Sequence, residues 1–403
     1  MTTTTTTRLA VPDTRRRPMA VLFTGSAATN VSMVGASTVS TLLGAQLLGP
    51  VWSGIPNAAG VIGSAVGTLT LAAVMARHGS RIALVVGYAV AVAGAVVAGY
   101  AVAADSATVL MTGMLLLGIG NGGAQLSRYC AADLYPPDRK GFAVGLLVWG
   151  GTVGALIGPN LIEPLTRLAG GLGLRPYAGP YLLALVCAAV AGLASTALPA
   201  TRTRRGGVAA GPAPARVWRL PVVRAAIVSM AGGQVAMVGV MTMTPLQMEM
   251  HGHGLGAVGA VLSAHLLGMF ALAPLSGHLA DRFGARTTIV LGIGVILASA
   301  AAALWPATAA LYVALFLLGY GWNLTFVGGS SLLTQALTPD ERLHVQGGVD
   351  AIVWTASAVS SIGAGMLLGV VGYPAVVACS AAVVLLPLLF LFGHRASAPA
   401  AGR

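Results

Sequence analysis

The sequence predicts an all-α membrane protein: twelve transmembrane helices in two pseudo-symmetric six-helix bundles, with both termini cytoplasmic. Three observations predict it. Of 403 residues, 56% are hydrophobic and 8% are charged, against about 25% charged in a soluble domain. Twelve apolar segments are each long enough to cross a bilayer, which takes roughly 20 residues. Short polar motifs recur half a chain apart.

The segments follow in order. Residues 1–19, "MTTTTTTRLAVPDTRRRPM", have no apolar core and read as a polar cytoplasmic tail rather than a cleaved signal. The first six segments are 20–47, 53–76, 82–103, 108–132, 141–165 and 179–199, giving an N-terminal bundle over 20–199. Residues 200–221 are rich in Pro, Gly and Arg and read as a cytoplasmic linker. The second six are 222–247, 256–279, 287–305, 308–335, 344–369 and 373–393, giving a C-terminal bundle over 222–393 and a tail over 394–403. We call these spans 1 to 12. The 55 glycines suit such a bundle, because glycine lets membrane helices approach closely.

Charge sets the orientation. With the N-terminus inside, nineteen of the 22 Lys and Arg residues fall in cytoplasmic segments, and Arg167 and Arg175 fall outside; Arg128 lies near the inner end of span 4. That asymmetry is the positive-inside pattern. It accounts for the +12 formal charge without any nucleic-acid partner; the partner expected is the lipid bilayer. Cys130, Cys187 and Cys379 lie in apolar segments with neither CxxC spacing nor a disulfide framework.

The halves repeat. "ARHGSR" (76–81) follows span 2 and "DRFGAR" (281–286) follows span 8; "PDRKGFAVG" (137–145) and "PDERLHVQG" (339–347) follow spans 4 and 10. Paired six-helix repeats with a site between them near the midplane are a transporter architecture. "GHLADRFGAR" (277–286) resembles the loop signature of the major facilitator superfamily, with Ala76 standing where Asp281 stands in the second copy. The resemblance covers essentially the whole chain and implies that fold, though not a substrate. Asp281, Arg282 and Arg286 can form a conformational latch at the cytoplasmic helix ends, or can serve as topogenic charge around a tight Gly284 turn.

Candidate chemistry concentrates in spans 7 and 8. Six of the fourteen methionines fall in 229–250. Met237 and Met241 share a helix face, as do His265 and Met269. Met237 and His265 lie at similar depths from the outer membrane face. Thioether and imidazole together select soft metal such as Cu(I), and a neutral ligand set leaves no anion buried when empty. A methionine stripe is equally ordinary packing. The Met-xxx-Met and His-xxx-Met pair is similar to the motif pair of the CcoA-like (CalT) copper importers, in which it implies copper import for cytochrome c oxidase assembly. On that resemblance Met237, Met241, His265 and Met269 hold copper as cargo, no cofactor is required, and copper donor and acceptor proteins are the implied partners. Some members carry cysteines on or near these helices; spans 7 and 8 here have none, so no thiol step carries over.

Met248, Met250, His251 and His253, in "QMEMHGHG" (247–254), are candidates for periplasmic metal capture or simply a polar turn. Asn30, Asn121, Gln125, Gln234 and Asn323 could line a cavity or bond between helices. Glu163 and Asp350 are the charges that could couple transport to protons.

Two alternatives to copper import stand. Gly145, Gly154, Gly158 and Pro159 of span 5 resemble the superfamily's antiporter signature and suggest drug efflux, although Ile162 and Glu163 replace its closing glycines. Import of an organic nutrient such as riboflavin is the other. Flavin-transporting relatives of the copper importers lack the Met/His pairs, which favours copper. The cell inner membrane is the expected location, and no enzymatic activity is expected.

Overall fold

The computed structural model describes residues 15–135, 140–199, 215–305, 307–337 and 339–392. The linker over 200–214, the side chains of Arg128 and Asp350, and both tails (1–14 and 393–403) lie outside the described residues. All regular structure among the described residues is helical. Spans 1 to 4 are Arg16–Leu48, Ile55–His78, Ser80–Ala104 and Ala107–Asp133. Span 5 is Lys140–Ile157, and span 6 is Ala178–Thr196. In the second half, spans 7, 9, 10 and 11 are Pro221–Met250, Ala285–Ala303, Thr308–Ala336 and Pro339–Val370. Eleven of the twelve are long and apolar enough to cross a membrane; span 5, partly outside the described residues, stands in the place of the twelfth.

Prolines break several of these helices. Span 8 is two pieces, Leu255–Phe270 and Ala273–Phe283, with Pro274 at the start of the second. Pro274 has no N–H for the Phe270 carbonyl, so the helix bends there. Span 12 divides likewise into Tyr373–Val383 and Leu386–Phe392 around Pro387. Pro245 lies within span 7 and frees the Met241 carbonyl. Span 5 gives way at Pro159 to the 3-10 turn Gly158–Leu161, then to Ile162–Gly171, a helix the sequence had merged with span 5.

The repeat is visible in the backbone. Gly79, after span 2, has φ 87° and ψ 165°; Gly284, after span 8, has φ 86° and ψ 154°. A left-handed turn with those angles needs glycine. Helix crossings repeat as well: spans 3 and 4 meet at Gly87 and Gly120, and spans 9 and 10 meet at Gly292 and Gly321. Two buried apolar clusters fill the N-terminal bundle, and a third fills the C-terminal bundle and takes in Leu42 and Ala155 across the seam. Large apolar side chains such as Leu69, Leu193 and Val370 point outward, as lipid contact requires. Exposed Trp52, Tyr100 and Trp305 ring the outer ends of their helices, where aromatic residues favour the bilayer interface.

Candidate functional site

Between described residues, six hydrogen bonds join the bundles, and all lie in the outer half. Ser361 Oγ donates to the Gly54 carbonyl (3.1 Å), and Asn57 Nδ2 donates to Ser361 Oγ (3.1 Å). Asn160 Nδ2 donates to Ser263 Oγ (2.7 Å), which donates on to the Leu156 carbonyl (3.1 Å). Ser53 Oγ donates to Met243 Sδ (3.7 Å), and the Tyr177 hydroxyl donates to Glu249 Oε1 (2.7 Å). Glycine permits the close fit. A Cβ on Gly54 would collide with the Ser361 carbonyl, and one on Gly259 with the Pro159 carbonyl. The structure is therefore closed to the outside.

Tyr177 precedes span 6, outside the membrane segments. Burial, reinforced by the Glu249 carboxylate it bonds, pushes its phenol well above the ordinary value of 10. A raised pKa means the neutral donor form persists through neutral pH, and its bond would be lost only as pH rose past that higher value. Tyr177→Phe should therefore shift the equilibrium toward the outward-open state by about 1 kcal/mol, roughly fivefold, with no dependence on pH between 5 and 8. Labelling of Ser53→Cys with and without Tyr177→Phe measures it, the lost Ser53–Met243 bond being common to both; unchanged labelling would show that the bond does not restrain the contact.

The four candidate metal residues lie within the core of the C-terminal half. His265 is fully buried, and its Nδ1 donates to the Leu315 carbonyl of span 10 (2.9 Å). Nε2 then carries the lone pair and has no partner. Met237 and Met269 are buried in one apolar cluster of the C-terminal bundle, and half-buried Met241 packs against it. Span 8, however, packs chiefly against span 10 and only slightly against span 7. Gly319 is the reason: its missing side chain lets span 10 approach the backbone of His265 and Met269.

The periplasmic group is not assembled. Span 7 stays helical to Met250, past its expected end at 247, so Met248 and Met250 project to different sides. Met248 is buried and Met250 exposed. The Nδ1 atoms of His251 and His253 donate to the Gln247 and Met248 carbonyls, finishing the helix end. These histidines cap a helix. At the cytoplasmic side the expected latch is not closed: Asp281, Arg282 and Arg286 are exposed, and no ion pair joins them among the described residues. Arg282 lies over the Phe283 ring instead, and Gly284 makes the turn. Glu163 pairs with Arg167 one turn on and stands beside Gly256 of span 8. Gly154 and Gly158 let span 5 approach the carbonyls of Ala27 and Val31 in span 1, a packing use.

The polar residues mostly join helices. Asn121 Nδ2 donates to Ser64 Oγ (3.1 Å), Asn323 Nδ2 to the Met269 carbonyl (2.8 Å), and Asn30 Nδ2 to the Ser26 carbonyl (2.9 Å). Gln125 also has a bonded partner. Gln234 is the informative one. Its Nε2 donates to Ser357 Oγ (2.8 Å) and its Oε1 accepts from Trp322 Nε1 (2.7 Å). Trp322 stacks on Phe326 (centroids 5.2 Å apart, planes 26°) and meets Phe270 edge to face (6.5 Å, 75°). Sequence spacing gave no sign of this group, since the Gln234–Trp322 bond spans 88 residues.

The Major Facilitator Superfamily model matches residues 19–262 and 248–402. The chain belongs to the major facilitator superfamily. This major facilitator protein is 32% identical over 372 residues to the MFS-type transporter YddS of Bacillus subtilis, covering 87% of this chain and 84% of that one. It is 31% identical over 335 residues to the riboflavin transporter RfnT of Brucella anthropi, covering 81% and 83%. A bacterial homologue of the human lysosomal transporter Spinster, inward-facing and occupied, shares its fold with TM-score 0.66 at 16% identity, over 94% of this chain and 98% of that one. The human organic anion transporter MFSD10 does so with TM-score 0.66 at 16% identity, over 94% and 99%. The chain is thus a multi-pass inner-membrane transporter and not an enzyme. These relatives lend the copper expectation no support.

Proposed function

We propose that this protein imports an organic solute of the riboflavin type by rocking its two bundles about a mid-membrane site. The observation that carries this reading is the 31% identity to RfnT over 335 residues, most of both chains. The outer contact supplies the restraint that alternating access must break and remake, and transport by two such bundles fits a site at the midplane. The test is growth and uptake: a riboflavin auxotroph without a flavin importer, expressing this protein, should grow on low riboflavin and accumulate labelled riboflavin. Expression in the membrane without uptake would overturn the proposal.

One observation favours a second reading, import of Cu(I) for cytochrome c oxidase assembly. The His265 Nδ1–H bond to a backbone carbonyl fixes the tautomer and leaves a bare, buried Nε2, as in metal-ligating histidines. Met237, Met241 and Met269 would supply the soft sulfur. The readings separate in one strain. His265→Leu keeps the volume of a buried side chain, so riboflavin uptake should persist. On the copper reading the same variant abolishes radioactive copper uptake, and Ag(I) competes in the native protein while Zn²⁺ does not. Copper uptake blocked by silver, with no riboflavin uptake, would replace the first reading by the second.

A further inference from the structure

We infer that Trp322, with Phe326, Phe270 and the Gln234–Ser357 bracket, is the face that receives the substrate, and that the substrate part it receives is a planar heteroaromatic ring. The inference rests on the organic-solute reading and names the site within it.

Depth is the first support. Gln234, Phe270, Trp322 and Ser357 lie near the middle of spans 7, 8, 10 and 11, so the group sits near the bilayer midplane. Direction is the second. Spans 7, 8 and 11 each touch the N-terminal bundle: span 7 through Met243 to Ser53, span 8 through Ser263 to span 5, and span 11 through Ser361 to span 2. The aromatic group lies among spans 7, 8, 10 and 11, on the side of the bundle that these contacts turn toward its partner. A bonded amide–hydroxyl–indole network also belongs away from lipid.

Chemistry is the third support. The hydrogen bond to Gln234 fixes the indole plane, and Phe326 stacked on it extends a flat apolar surface. Trp322, Phe326 and Phe270 are each only half-buried, so part of this surface is uncovered. A flat ring placed there continues the stack at offset or edge geometry, which aromatic systems favour. The bend at Pro274 follows Phe270 directly, so rocking of span 8 moves one wall of the group. At the same depth in the other bundle stand the half-buried amides of Asn30 and Asn121, suited to the polar edge of a heterocycle.

The experiment combines ring-only competition with a variant. In cells expressing the native protein, lumiflavin, which keeps the ring system and lacks the ribityl chain, should compete with labelled riboflavin, whereas ribitol should not. In purified protein, riboflavin emission should be quenched on binding. Trp322→Ala should raise the apparent KM for riboflavin roughly tenfold or more, and Trp322→Phe by less, as expected for loss of one stacking platform. If riboflavin is taken up but ribitol competes and lumiflavin does not, the ring site falls while the transport reading stands. If riboflavin is not taken up by the native protein, both fall. The lumiflavin arm needs no variant, so the test survives a substitution that prevents folding.

Discussion

Gly118→Leu should remove folded protein from the membrane. Spans 2 and 4 cross where Gly118 of one faces the Gly60 carbonyl of the other, and a Cβ on Gly118 would overlap that oxygen. Gly63 and Gly67 press in the same way against the carbonyls of Leu115 and Ile119, and Gly122 against the Thr68 amide. Lipid gives helices no hydrophobic reason to associate, so this close contact is the main attraction between them. Backbone cannot move aside as a rotamer can, so the penalty should exceed the roughly 1–3 kcal/mol typical of overpacking and approach a marginal stability of about 5 kcal/mol. Yield of monodisperse protein and thermal melting in detergent measure it. Gly277→Ala is the control, because nothing lies within 4 Å of its position. Native melting of Gly118→Leu would show that the two helices do not cross there.

Gly54→Val should leave the protein folded and abolish uptake. The new side chain would strike the Ser361 carbonyl only when the outer contact closes. A clash worth about 3 kcal/mol lowers the outward-closed population roughly a hundredfold. The variant should accumulate in the outward-open state. Ser53→Cys in a background without Cys130, Cys187 and Cys379 should then react faster with a membrane-impermeant maleimide when Gly54 is Val than when it is Gly. Full uptake by Gly54→Val would mean that the closed outer contact is no part of the transport cycle.

The spans and the internal repeat could be read from the chain because both are local. Apolar length marks a membrane helix, and Gly79 and Gly284 each make a turn that only glycine makes easily. The arginines gave orientation for the same reason. Spacing also placed His265 and Met269 on one helix face, but it could not name the neighbour. The His265 ring bonds Leu315, fifty residues away, because Gly319 brings span 10 close. Spacing alone puts Met248 just beyond span 7, at the mouth; three further helical residues of span 7 carry it into the core instead. The Trp322 group and the outer contact were illegible in principle. Their bonds join residues 72 to 307 positions apart, and neither hydroxyls nor glycines announce a partner at such range.

The neutrality of the outer contact has an electrical meaning. Five of its six hydrogen bonds join uncharged groups, and the sixth ends on Glu249, next to the last residue of span 7. Carrying one elementary charge across the bilayer field involves about 2.3 kcal/mol per 100 mV. Parting these bonds carries none through the field, so the membrane voltage has no handle on this seam. Whatever energises the cycle must act through the cargo or through ionisable groups elsewhere in the molecule.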